Sequence, residues 1–193
     1  MNIIEYLSPS QKKALHYKNL KKDDVLFREN DICEYIGIVI EGQLSIVTYL
    51  KDGKEIVYNI LNEDDIFGNN LIFSSEPYYK GNIITNVSTK IALISRDDLI
   101  KILKTNTKFM FEYLKIQSDF SKQLNNKIKM LSMDSAIERF YFYMHENKGS
   151  IEYSSVSELA KSLYLKRETL SRLLSKLIKQ KKIKKTNDSI KLL

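Results

Sequence analysis

Arg167, Glu168, Ser171, Arg172 and Lys176 place forked cations, a carboxylate and a hydroxyl within three helical turns, with Lys166 just ahead of them. That set suits hydrogen bonding to base edges. An arginine fork matches the O6/N7 acceptor pair of guanine, and a carboxylate accepts from the cytosine amino group. On a helix, Arg167 and Glu168 stand in the first turn with Arg172 about one turn further on, so all three can reach into one groove. The competing reading is a surface helix stabilised by arginine–glutamate pairs. Little else in the chain carries chemistry. One cysteine, Cys33, builds neither an internal disulfide nor a multi-cysteine metal site. Two histidines, His16 and His145, leave little for metal binding or a catalytic triad, so no metal site and no catalytic residue is assigned and an enzyme is not expected.

The elements around the 167–176 run explain how it would be presented. Ser155-Val-Ser-Glu158 has the form of a capping box, with Leu159, Ala160 and Leu163 following at helical spacing. After a short break at 164–166, Leu170, Leu173, Leu174, Leu177 and Ile178 mark one apolar stripe of a second helix ending near Gln180. Lys182-Ile-Lys-Lys and Ser-Ile-Lys-Leu, around Asn187-Asp188, read as a hairpin. Helix, turn, polar-faced helix and hairpin is the layout of a winged helix-turn-helix.

Charge is concentrated on the same segment. The chain has 193 residues and a net charge of +7. Residues 154–193 hold eleven basic and three acidic side chains, a net +8, which leaves the first 153 residues at −1. Such asymmetry is the electrostatic footprint of a nucleic-acid-binding module joined to a body with another task. A hydrophobic fraction of 43% excludes a largely disordered chain. No apolar run reaches the roughly 18–20 residues of a membrane span, and no secretory signal opens the chain, so a cytoplasmic protein without a membrane partner is expected.

The first hundred residues read differently. Ser8, Pro9 and Gln11 predict a short capped helix. Then 25–29, 35–40, 44–50, 56–61, 83–87 and 91–95 are rich in β-branched residues, punctuated by Glu29-Asn-Asp31, Glu41-Gly42, Asp52-Gly53 and 62–65. An antiparallel barrel or sandwich follows. A cupin-like enzyme would need several metal-ligating histidines on those strands, and they carry none. Residues 106–132 contain neither proline nor glycine, and Phe109, Tyr113, Ile116, Phe120, Leu124, Ile128 and Leu131 step by fours and threes. The stripe suits a coiled-coil seam or packing against the chain's own strands.

Val156 to Leu174, with Arg167-Glu168-Thr169-x-Ser171-Arg172 at its centre, resembles the helix-turn-helix of the Crp/Fnr family of bacterial transcription regulators. Glu41-Gly42-Gln-Leu-Ser-Ile-Val, Asp52-Gly53-Lys-Glu and Asp65-Ile-Phe67-Gly68 resemble that family's cyclic-nucleotide-binding β-roll. Tyr164 stands where the family's turn commonly has glycine, and Lys166 where its recognition helix commonly has a serine or threonine cap. The resemblance implies an α+β chain: an antiparallel β-roll (double-stranded β-helix) over 1–104, a dimerisation helix over 105–133 hinged at Met133-Asp134-Ser135, and a winged helix-turn-helix over 134–193. It implies a homodimer joined through Tyr113, Ile116, Phe120, Leu124, Ile128 and Leu131. Its partners would be double-stranded DNA carrying a TGTGA- or TTGA-like half-site, RNA polymerase and a small-molecule effector.

Cyclic-AMP-binding members follow Phe-Gly with a glutamate and later supply an arginine for the phosphate. Here Asn69 replaces the acid, no arginine lies between Arg28 and Arg96, and Lys80 is the nearest cation. A lysine lacks the bidentate fork for a phosphate. A non-cAMP signal is therefore expected, with Asn69, Asn70, Tyr78, Tyr79 and Lys80 lining a different pocket or forming an ordinary loop. One cysteine cannot hold the iron–sulfur cluster of oxygen-sensing relatives. No cofactor is assigned. The alternative is a haem- or redox-based sensor regulator of the same fold, serving nitrosative or oxidative stress, with His16 or His145 as haem ligand. Cys33 lies beside Asp31 and Glu34, and those acids should raise its thiol pKa.

Overall fold

The computed structural model describes residues 2–193 and divides into two compact units, 1–119 and 120–193. A 3-10 turn at Ile3–Tyr6 leads into α1 (Pro9–Lys12), where Ser8 and Gln11 close the expected capping box around Pro9. The strands of this unit are β1 (His16–Leu20), β2 (Val25–Phe27), β3 (Tyr35–Glu41), β4 (Leu44–Tyr49), β5 (Glu55–Leu61), β6 (Ile66–Phe67), β7 (Asn82–Thr85) and β8 (Thr89–Ser95). They form two antiparallel four-stranded sheets, ordered β1-β8-β3-β6 and β2-β7-β4-β5. Asn30, Gly42, Gly53 and Asp64 all take positive φ, so every predicted turn signal marks a reversal of the chain.

Ile36, Ile38, Leu44, Ile83, Ile91 and Ile94 are buried in the core of this unit. One close approach sets its tightest spot. Gly37 pairs with Phe67 across β3 and β6, and a Cβ on Gly37 would stand 1.8 Å from the Phe67 ring. The ring takes the space a side chain would need, a known pairing of aromatic and glycine across strands.

Several elements differ from expectation. β1 was not foreseen and carries His16, so one histidine does lie on a strand. That strand is mostly exposed (only Leu20 is half-buried), and its pairing with β8, from His16↔Leu93 to Leu20↔Thr89, is not encoded locally. After β8 the chain forms α2 (Arg96–Thr105), also unforeseen, with Ser95 accepting from the Asp98 amide as N-cap. The long helix α3 is Thr107–Leu131; the Asn106 side chain accepts from the Phe109 amide and donates to the Tyr6 carbonyl.

The stripe along α3 changes character midway. Phe109 and Tyr113 are buried in the first unit and Ile116 packs against its core, whereas Phe120, Leu124, Ile128 and Leu131 are exposed. Tyr113 is thus not free for a partner: its hydroxyl donates to the Asn69 carbonyl at 3.0 Å, and burial pushes its pKa up to about 12.

The second unit contains α4 (Ala136–Glu146), β9 (Ser150–Glu152), α5 (Val156–Ser162), α6 (Arg167–Lys179), β10 (Ile183–Lys185) and β11 (Ser189–Leu192). Its sheet is antiparallel, ordered β10-β11-β9. β9 is the strand that periodicity missed, because three residues are too few to show a pattern. Phe140, Met144, Leu159, Leu163, Leu170, Leu174, Leu177, Ile183 and Ile190 form the core, and Met130 from the last turns of α3 joins it. Ser135 and Glu138 close a second capping box at the start of α4.

Gly37→Ala is expected to destabilise the first unit by about 1–3 kcal/mol, because the new methyl displaces the Phe67 ring. Urea unfolding followed by circular dichroism checks this; a midpoint equal to wild type would contradict the packing described.

Candidate nucleic-acid interface

α5 begins where Ser155 accepts from the Glu158 amide at 3.1 Å. The second half of the expected box is not made: the Glu158 carboxylate accepts instead from the Ser154 hydroxyl. At the other end Leu165 N–H donates to the Ala160 carbonyl at 2.9 Å and Tyr164 N–H to the Lys161 carbonyl at 3.0 Å. This pair of bonds is a Schellman motif, and Tyr164 holds its left-handed position at φ 53°. A tyrosine there costs about 1–2 kcal/mol more than the glycine usual at such a site. Arg139 and Lys127 oppose that cost: Arg139 Nη1 donates to the Tyr164 carbonyl at 3.0 Å, and the Lys127 ammonium sits 5.5 Å from the Tyr164 ring centroid.

α6 starts at Lys166, which supplies no side-chain cap. Burial of Leu170, Leu174 and Leu177 fixes the roll of the helix, and Leu173 is half-buried beside them. Ile178, assigned from periodicity to the same stripe, is instead exposed, because it lies at the stripe's edge near the helix end. With the leucines inward, Glu168, Ser171, Arg172 and Lys176 are exposed away from the stripe, and Lys166 and Arg167 are exposed at the helix start. Arg172 donates through Nε to the backbone carbonyl of Glu168, not to its carboxylate. Among the described residues no ion pair involves Arg167, Glu168, Arg172 or Lys176. A helix stabilised by arginine–glutamate pairs is therefore not what the side chains form.

Ser171, Arg172, Ser175, Lys176, Lys179 and Gln180 line a groove of about 510 Å³ along α6. Ser175 and Lys179 were not singled out from the sequence, although they follow Ser171 and Ser175 by one helical turn each, which is the signal that would have found them. The hairpin adds charge. Lys184 and Lys191 stand directly opposite each other across β10 and β11. Like charges in that position repel, so the pair is better suited to a polyanion than to the isolated fold.

The five residues expected to line an effector pocket are not brought together. Tyr79 is buried, stacked on Phe27 with ring centroids 4.6 Å apart, and its hydroxyl donates to the Tyr35 carbonyl. Burial raises its pKa far above the ordinary tyrosine value. Asn69 is buried against α3, where it donates to Gln117 at 2.9 Å and the Gln117 amide donates back to the Asn69 carbonyl. Asn70, Tyr78 and Lys80 stay exposed. Their split follows from the loop's geometry: alternate side chains fill the core, and the others face out. Cys33 is buried, and burial raises its thiol pKa, opposed by hydrogen bonding with Tyr79 and the Tyr35 backbone. The direction is as expected, but the cause is burial and not the neighbouring acids. His16 and His145 are both exposed and lie in different units.

Residues 17–106 match the family described as Cyclic nucleotide-binding domain. The Anaerobic regulatory protein of Bacillus subtilis (strain 168) is 26% identical over 150 residues, covering 78% of this chain and 58% of that protein. The chain thus spans under two thirds of that relative's length. Among solved structures, a mutant of CooA from Carboxydothermus hydrogenoformans matches with a TM-score of 0.67 at 19% identity, over 100% of this chain and 91% of that one. The Catabolite Activator Protein of Thermus thermophilus matches with a TM-score of 0.58 at 14% identity, over 99% and 93% respectively. At these identities the solved structures establish the fold.

Lys191→Glu, which turns the opposed lysines into a cross-strand ion pair, is expected to raise the melting temperature of the second unit by about 1–3 °C at low salt. The gain should vanish in 1 M salt, where screening is nearly complete. A lower melting temperature at low salt would contradict the repulsion.

Proposed function

We propose that this chain, with a cyclic nucleotide-binding domain over residues 17–106 and the fold of the Crp/Fnr family of transcription regulators, is a sequence-specific DNA-binding regulator that acts as a homodimer. In this reading α5, the Tyr164 turn and α6 are a helix-turn-helix, and β9, β10 and β11 its wing. Arg167, Glu168 and Arg172 read base edges, Ser171 assists them, and Lys166 and Lys176 contact phosphates. One observation carries the proposal. The cations and the carboxylate of α6 are exposed, Glu168 and Arg172 lie opposite the buried leucine stripe, and among the described residues none of them forms an ion pair. With only Arg172 Nε engaged, by the Glu168 carbonyl, donors and an acceptor remain available to a ligand. Bases in the major groove supply the matching acceptors and donors.

A palindromic operator needs two such helices about one DNA turn apart. The exposed residues of the expected seam, Phe120, Leu124, Ile128 and Leu131, support pairing of α3 with a second copy, and Tyr113 and Ile116 serve the first unit's own core. Control by a signal other than cAMP fits the first unit. Asn69 stands where an acid would hold a ribose and is hydrogen-bonded to Gln117, and Tyr79 is packed inside the core. RNA polymerase is the further partner that a regulator of this kind engages.

Arg172→Ala is expected to cost about 1–3 kcal/mol on promoter DNA and to relax preference at one base pair, while Lys176→Ala weakens specific and random DNA alike and lowers the salt slope by about one. Fluorescence anisotropy across a salt series distinguishes them; equal losses on both kinds of DNA from both variants would overturn the proposal. Leu124→Glu with Ile128→Glu is expected to yield a monomer in sedimentation analysis, with half the mass of wild type. A variant that still sediments as a dimer would place the interface elsewhere.

A further inference from the structure

We infer that Arg139 is a positioning residue that joins the end of α3 to the turn before α6, so that the two move as one body. The inference rests on the reading of α6 as a recognition helix. Arg139 lies early in α4, and its Nε and Nη2 donate to the Met133 carbonyl at 3.2 and 3.0 Å. Its Nη1 donates to the Tyr164 carbonyl at 3.0 Å. Met133 follows α3 by two residues, and Tyr164 precedes the α6 N-cap Lys166 by two. The two acceptors are 31 residues apart in the chain and are bridged by one planar group.

The chemistry favours arginine alone for this task. A guanidinium offers five N–H donors in a rigid fork, so it can serve two carbonyls in different directions, whereas an ammonium is a point charge. Among the described residues Arg139 makes no ion pair, so its donors serve backbone and not a carboxylate. Backbone acceptors report main-chain position directly, and any shift of Met133 relative to Tyr164 stretches at least one bond.

A second contact runs in parallel. Lys127, on α3, places its ammonium 5.5 Å from the Tyr164 ring centroid. Tyr164 is thereby held at its carbonyl by α4 and at its ring by α3. This gives a reason for a tyrosine at a left-handed position where glycine would be less strained. Met130 is buried in the same unit's core, and Lys129 lies over the Phe142 ring at 5.0 Å. Met133, in the segment 133–135 expected as the hinge, is thus bonded through its N–H to the Met130 carbonyl of α3 and linked through Arg139 to the turn before α6. A change in the pairing of α3 would be delivered to α6 through Arg139.

Hydrogen exchange on the full-length protein tests this, with wild type, Arg139→Gln and Arg139→Lys compared. Both variants are expected to speed exchange in two separate segments, 132–135 and 164–167, about tenfold or more beyond any change in the α6 leucine amides. Both should also lose about tenfold in preference for promoter over random DNA, with random-DNA affinity unchanged. Lysine keeps the charge, so its failure to rescue assigns the effect to the fork. Acceleration in only one segment, rescue by lysine, or equal acceleration of the α6 leucine amides would each overturn the inference. Lys127→Gln, a change at an exposed position, should speed the 164–167 amides by a smaller factor; unchanged rates there would count against the coupling. Wild type with no promoter preference would defeat the proposed function, while the exchange data would still decide the role of Arg139.

Discussion

The inward packing of Leu170, Leu174 and Leu177 is the constraint from which the rest of the second unit follows. A helix has one roll angle, and burying that stripe leaves Glu168, Arg172 and Lys176 on the other side, with Arg167 exposed at the helix start. The position of the helix start is set independently, by the two Schellman bonds around Tyr164 and by the Arg139 bridge. Apolar burial therefore chooses the face, and hydrogen bonding chooses where along the helix the face begins. Neither determinant uses the exposed side chains of α6, so those positions can vary without disturbing the fold.

Electrostatics adds to this arrangement at a small cost to the isolated fold. Opposed Lys184 and Lys191, and a helix whose cations have no carboxylate partners among the described residues, are arrangements that a free-standing domain gains nothing from. A polyanion reverses the sign of both. The first unit contributes no comparable field; residues 1–119 hold 15 basic and 17 acidic side chains, a net −2. It contributes a helix whose first half is locked into its own core by Phe109 and Tyr113 and whose second half presents Phe120, Leu124 and Ile128 outward. Within the second unit, Met130 of α3 belongs to that unit's core.

Local patterns were legible in proportion to their length. The α6 stripe, the hairpin of β10 and β11, the Ser8 capping box and the turns at Asn30, Gly42, Gly53 and Asp64 are all encoded within a few residues, and all are present. β1, β6 and β9 were not legible, because exposed or very short strands exist only through distant partners such as β8 and β11. α2 was hidden in a run of charges whose helix shows only once Ser95 is seen as its cap. The residues of the 69–70 and 78–80 segments are divided for a different reason. Asn69 and Asn70 are adjacent in sequence, as are Tyr79 and Lys80, but a loop wrapped on a core sends adjacent side chains to opposite sides. The same applies to Tyr113: periodicity identified an apolar face without saying whose core it would enter.

In the proposed homodimer, two copies of α6 engage one duplex. Hydroxyl-radical footprinting of a promoter fragment, with the protein-to-DNA stoichiometry measured on the same sample, is the decisive measurement. The expected result is two protected backbone patches on one side of the duplex, about 10–10.5 base pairs apart centre to centre, at two chains per duplex. A single patch at one chain per duplex, or protection with no preferred position, would contradict it.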